Sequence, residues 1–167
     1  MAPVSLDSAQ RELAACHEMA DDIELLVQHV VVSMLKHKFG ADGLDWYDEG
    51  VPEKVQNRVE EKWDQGGKRP PEQCFDLLHY KTILKENWDM FRVLFVEENS
   101  QDPKANKSLR WIGKLNQVRL DLAHPSRRGA DWLKTETGRS ARQELTGWLA
   151  IAKSLRERCD NLTQLNG

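Results

Sequence analysis

The sequence predicts an all-α protein, a helical bundle of about five helices, on three observations. Apolar residues recur at three-to-four spacing through most of the chain. Glycine and proline fall between those stretches, and no stretch reads convincingly as a sheet. The 167 residues favour a single domain over 1–167 with room for a hydrophobic core. A composition of 40% hydrophobic and 31% charged residues excludes a disordered chain.

The first helix is expected from about Ser8 to Phe39, closing at Gly40, with Leu13, Cys16, Ile23, Val27, Val30 and Met34 at helical spacing. Val30-Val31-Val32 alone would suit a strand, but the flanking periodicity favours helix; a break near Asp21 is an open alternative. Residues 40 to 51, with Gly40, Gly43 and Gly50 around Trp46 and Tyr47, read as a loop. A short charged helix follows Pro52, a residue suited to a first helical position. The run Gln65-Gly66-Gly67-Lys68-Arg69-Pro70-Pro71 reads as a surface loop within one domain, since neither flank is large enough for its own core. Leu84, Trp88, Phe91 and Phe95 then form a core stripe. A loop from Glu98 to Asn106 leads into a basic helix, which must end by Pro125. The last helix is expected from about Ser140 to Leu162, with Leu145, Trp148, Ala152, Leu155, Cys159 and Leu162 on one face. Ser140 and Gln143 there resemble a capping box.

The net charge of −3 hides an asymmetry. Between Lys104 and Arg128 seven Lys/Arg face one acid, Asp121, giving a local +6 and leaving −9 for the rest. A basic patch on an acidic body is what an anion-binding surface needs. The three cysteines are far apart and show no metal spacing, which argues against a disulfide framework or a zinc site and predicts a reducing, cytoplasmic setting. His17, His29 and His37 never pair at i, i+3 or i+4, so no metal and no cofactor is expected. Met1-Ala2-Pro3 runs into polar sequence, which predicts no secretory signal. The apolar run from Leu25 to Leu35 is too short and too polar to cross a bilayer, so no membrane partner is expected. Among the tryptophans, Trp88, Trp111 and Trp148 fall on core stripes, whereas Trp46 and Trp132 fall in expected loops.

On a helix from Lys107 to Ala123, Trp111, Leu115, Val118 and Leu122 cluster within about 60° as the buried stripe. Lys107, Arg110, Lys114 and Asp121 gather to one side of it. Arg119 lies on the other side, next to the stripe, where a charge requires a partner, an interface or a cleft. His124 precedes Pro125, which places its imidazole at or past the helix end, where the dipole favours its protonated form. Five residues on a straight helix would separate Arg119 and His124 by about 140°. The two meet only if the helix ends between them or if they come from two chains.

The string Asn116-Gln117-Val118-Arg119-Leu120-Asp121-Leu122-Ala123-His124-Pro125 resembles the Arg-x4-His signature of the HEPN superfamily (higher eukaryotes and prokaryotes nucleotide-binding domain). It is most similar to the branch found in prokaryotic conflict-system proteins and in a transcript-surveillance endoribonuclease. Ile23-Glu24, the run to Lys38-Phe39-Gly40, Trp46 and Val51-Pro52 resemble that branch's first helix and turn. Phe75 to Lys81, Asn87-Trp88 and Phe91 resemble its middle helices, so the resemblance spans about 22–128.

The resemblance implies a helical bundle that forms a homodimer through the Arg119/His124 surface. It also implies a metal-independent endoribonuclease of prokaryotic antiviral defence or toxin-antitoxin systems. His124 would act as general base or acid on a ribose 2′-hydroxyl. Arg119 would stabilise charge on the scissile phosphate, with Asp121 a third catalytic candidate in reach of His124. Arg127, Arg128, Lys107, Arg110 and Lys114 would position the RNA backbone. Active members usually carry a polar residue directly after the Arg, where this chain has Leu120. The alternative is therefore a catalytically silent HEPN-like domain that serves dimerisation or docks to a protein partner in a defence complex.

Overall fold

A computed structural model describes residues 4–95, 103–123 and 136–165. The described residues are all-α, with no strand among them. The chain order is α1 (Val4–Phe39), α2 (Asp45–Gly50), α3 (Glu53–Gly66), α4 (Leu77–Glu86), α5 (Trp88–Phe91), α6 (Ala105–Ser108), α7 (Arg110–Leu122) and α8 (Glu136–Leu165). Single 3₁₀ turns occupy Pro71–Gln73 and Arg92–Phe95.

The spine is the pair α1 and α8. Glu12 meets Arg142 at 2.9 Å near one end, and His29 Nε2 lies 2.7 Å from Asp160 Oδ1 near the other. Both chain positions rise together, so the two helices run parallel. Cys16, Ala20, Ile23, Val27 and Val30 of α1 and Ala141, Leu145, Trp148, Ala152, Leu155 and Cys159 of α8 are all buried. Small side chains in both sets allow close approach, and the Cys159 thiol donates to the Val30 carbonyl at 3.8 Å. The α8 face matches the expected one. Ser140, however, lies inside the helix and donates to Glu144 at 3.3 Å, so it caps nothing. No break occurs near Asp21, because the apolar period continues through Ile23 and Val27 without an intervening Gly or Pro.

Gly40, at φ 113°, ends α1, and its N–H donates to the Lys36 carbonyl. The expected 40–51 loop instead contains α2, which buries Trp46 and Tyr47. Gly50 lets this turn press on α1: a Cβ there would lie 2.6 Å from Leu35 Cδ2. Pro52 caps α3 from outside, one residue earlier than expected. Gln56 Nε2 donates to the Val51 carbonyl at 2.8 Å and fastens α3 to the turn before it.

Asn87 interrupts the stripe of Leu84, Trp88, Phe91 and Phe95, which is shared among α4, α5 and a 3₁₀ turn. Its side chain donates to the Gly50 and Ile83 carbonyls, competing with the helical ladder there. Leu84 and Phe91 are buried, while Trp88 and Phe95 are half-buried and meet with ring centroids 5.1 Å apart and planes tilted by 44°. The basic helix is likewise divided. Leu109, fully buried, sits between α6 and α7, so Lys107 belongs to a separate turn from Arg110 and Lys114. Within α7 the buried stripe is Ile112, Leu115, Val118 and Leu122, with Trp111 at its half-buried edge.

Candidate functional site

Helix α7 ends at Leu122, where the Ala123 N–H donates to the Arg119 and Asp121 carbonyls. His124, Arg127 and Arg128, like Trp132, lie outside the described residues. Arg119 emerges on the side of the buried stripe that faces α1. Its guanidinium donates to the Glu24 carboxylate through Nη1 and reaches Asp21 Oδ1 through Nη2 at 3.2 Å. The charge beside the core stripe therefore has its partner, and the partner is acidic and comes from the first helix.

The other candidates lie elsewhere. Lys107, Arg110 and Lys114 are exposed to solvent. Lys114 and Asp121 line a shallow cleft of about 440 Å³ with Glu136, Ser140 and Glu144 of α8. Asp121 accepts from Gln117 Nε2 at 3.3 Å. The structure thus separates Arg119 from Lys107, Arg110 and Lys114 and from Asp121, as the helix geometry anticipates.

Around Arg119 the environment is acidic. A cleft of about 490 Å³ opens where the middle of α1 faces the start of α4, lined by Asp21, Glu24, Gln28, Glu72, Phe75 and Tyr80, among others. Gln28 Nε2 donates to the Glu72 carbonyl at 3.1 Å and ties one wall to α1. In the same turn, the Lys62 ammonium of α3 donates to the Cys74 carbonyl. Phase to this wall is set by the start of α4. The Asp76 carboxylate accepts from the His79 N–H at 3.0 Å, and His79 Nδ1 accepts from the Asp76 N–H at 3.1 Å. This reciprocal capping box fixes where α4 begins and thereby places Tyr80.

Burial raises the pKa of the Glu24 carboxyl; Arg119 opposes the shift and Asp21 adds to it. Burial likewise raises that of the Tyr80 hydroxyl, helped by Glu24, Asp76 and Glu72. His79 is shifted below its ordinary value by burial, which outweighs the pull of Asp76. Glu24, Asp21 and Tyr80 are the site residues that sequence reasoning passed over, although Ile23-Glu24 belongs to the resemblance. No His/Cys/Asp/Glu group among the described residues is arranged to hold a metal ion. None of the helices among them is long and apolar enough to cross a membrane.

No family model matches the chain, and no curated protein or solved structure matches it significantly.

Proposed function

We propose that the protein is a metal-independent endoribonuclease of HEPN type, with Arg119 on the scissile phosphate and His124 as general acid and base. One observation carries the reading: the Arg119 guanidinium pairs with two carboxylates that line a cleft, and the Arg119 side chain keeps a third of its surface open. An Arg so oriented presents a planar fork to a phosphate with little left to reorganise. Glu24 is then a positioning residue, since it acts on RNA only through Arg119. Lys107, Arg110, Lys114, Arg127 and Arg128 would follow the backbone away from the cut. The resemblance supplies the role of His124, the homodimer and the setting in prokaryotic defence.

The test is cleavage of single-stranded RNA in EDTA by the wild type and by His124→Ala and Arg119→Ala. Activity in the wild type that falls by about 10²-fold or more in His124→Ala supports the reading. Cleavage that persists undiminished in that variant overturns it.

A second reading is favoured by Leu120, which is 49% exposed directly beside Arg119. An apolar side chain on that surface suits a catalytically silent domain that docks to a second copy or another protein. That reading expects no cleavage and an association that Leu120→Asp abolishes.

A further inference from the structure

We infer that the pocket between α8 and the start of α7 binds a small organic acid, taking its carboxylate on Arg158 and covering its apolar body. The inference is independent of the endoribonuclease reading, since Arg119 lies near the other end of α7 and lines no part of this pocket.

The pocket has a volume of about 390 Å³, within the ~300–1,000 Å³ usual for small-ligand sites. Ile151, Leu155 and Arg158 line it from one face of α8, at i, i+4 and i+7. Phe95 and Trp111 line it from the other elements. Ile151 is 41% exposed, an apolar side chain that a bound hydrocarbon would cover.

The charge of the pocket has one sign. Arg158 is half-buried, and its Nη1 donates to the Leu94 carbonyl at 2.7 Å, which holds the guanidinium in place. It forms no ion pair with any of the described residues. Asp160, two positions on, is engaged by His29 and Arg156. No carboxylate lines the pocket. A partly desolvated cation without a counter-charge favours an anion, and the fork keeps further N–H groups to receive one.

Trp111 supplies a second observation. Among the described residues its Nε1 is the buried side-chain donor that lacks any hydrogen-bond partner. Such a group is costly unless a ligand or water provides an acceptor. The hydroxyls of Ser108 and Ser154 line the same pocket and can donate as well.

A carboxylate with an aryl or branched hydrocarbon body meets these conditions together. Its two oxygens accept in parallel from the guanidinium. Lone pairs remain for a hydroxyl, and for the Trp111 N–H once the half-buried ring turns to meet them. A phosphate monoester brings about two negative charges to a single cation. An amine meets the like charge of Arg158, and a neutral hydrocarbon leaves that charge uncompensated.

The test is calorimetric titration of the intact protein with phenylpropionate. Phenylpropylamine and phenylpropanol keep the body and change the head, and acetate keeps the head alone. The acid is expected to bind one to one, at least about tenfold tighter than any of the three. Arg158→Gln should weaken it by about tenfold or more, and Arg158→Lys by less, because the charge remains. Ile151→Asp, at an exposed position, should weaken it without lowering the unfolding midpoint. The indole N–H resonance of Trp111, identified by its absence from Trp111→Phe, should shift with the acid and stay in place with the amine. Equal binding of acid and alcohol, or no saturable binding of the acid at millimolar concentration, overturns the inference. So does binding that survives both Arg158→Gln and Ile151→Asp, or a Trp111 resonance that the bound acid leaves unmoved.

Discussion

Arg119 of α7 and Glu24 of α1 form an ion pair across 95 positions of sequence, and Asp21 joins it from one helical turn away. The pair sits between the two energetic extremes. Exposed bridges are worth about 0–1 kcal/mol, whereas breaking a fully buried one costs about 3–5 kcal/mol. Glu24 keeps a quarter of its surface and Arg119 a third, so Arg119→Ala should destabilise by about 1–2 kcal/mol in urea unfolding. Glu24→Gln should cost less, because a neutral amide needs no counter-charge. A loss below about 0.3 kcal/mol for Arg119→Ala would show that the pair is worth no more than a surface bridge.

The same pair gives stability a pH dependence. Burial raises the folded-state pKa of Glu24 above 4.5, so between that value and the raised one the folded chain binds more protons than the unfolded chain. Stability therefore falls as pH rises through this window. Glu24→Gln should remove that slope from the wild-type profile. Arg119→Ala, which deletes the cause that lowers the pKa, should extend the slope to higher pH. An Arg119→Ala profile parallel to the wild type would contradict the assignment.

His79 acts in the opposite sense. Its Nδ1 accepts the Asp76 N–H, which requires the neutral ring, and burial lowers its pKa below 6.5. The unfolded chain takes up the proton first, so stability is intact above pH 6.5 and declines as pH falls through the lower folded value. His79→Gln retains an N3 acceptor for the capping box but does not titrate. Melting curves from pH 7.5 to 5 should converge between this variant and the wild type at high pH, with the wild type losing more at low pH.

Two glycines separate packing from propensity. In Gly147→Ala the new methyl meets nothing within 4 Å in the interior of α8, and a gain of about 0.5–1 kcal/mol is expected. In Gly50→Ala the methyl would press on Leu35 and on the Phe39 ring, at 2.6 and 2.8 Å. Overpacking of about 1–3 kcal/mol there outweighs the propensity gain, so the midpoint should fall.

The long elements were legible because amphipathic periods repeat over several turns. The buried face of α8 follows from spacing alone, as do Leu115, Val118 and Leu122 in the stripe of α7, where Ile112 takes the buried place expected of Trp111. Helix α2 was not legible, since six residues amid three glycines complete fewer than two turns and its burial depends on α1. The division at Leu109 was equally hidden, because a buried Leu fits a continuous period as well as a junction. At the site, the position of Arg119 beside the stripe announced that a partner was needed. Nothing local named Glu24 and Asp21, which look on their own helix like ordinary solvated acids. Tyr80 was obscured in the same way, as an aromatic residue on an apolar face reads as core.

The parallel pairing of α1 with α8 also has a kinetic consequence. Contacts such as Glu12 with Arg142 and His29 with Asp160 span about 130 residues, so α1 waits for α8 to be made. Closing so long a loop adds entropy cost and slows folding relative to bundles built from sequential neighbours. During synthesis, Cys16, Ala20, Ile23 and Val27 stay without their final cover until the thirty residues of α8 emerge. A nascent chain stalled before α8 therefore exposes an apolar stripe that a holdase chaperone or another nascent chain can occupy.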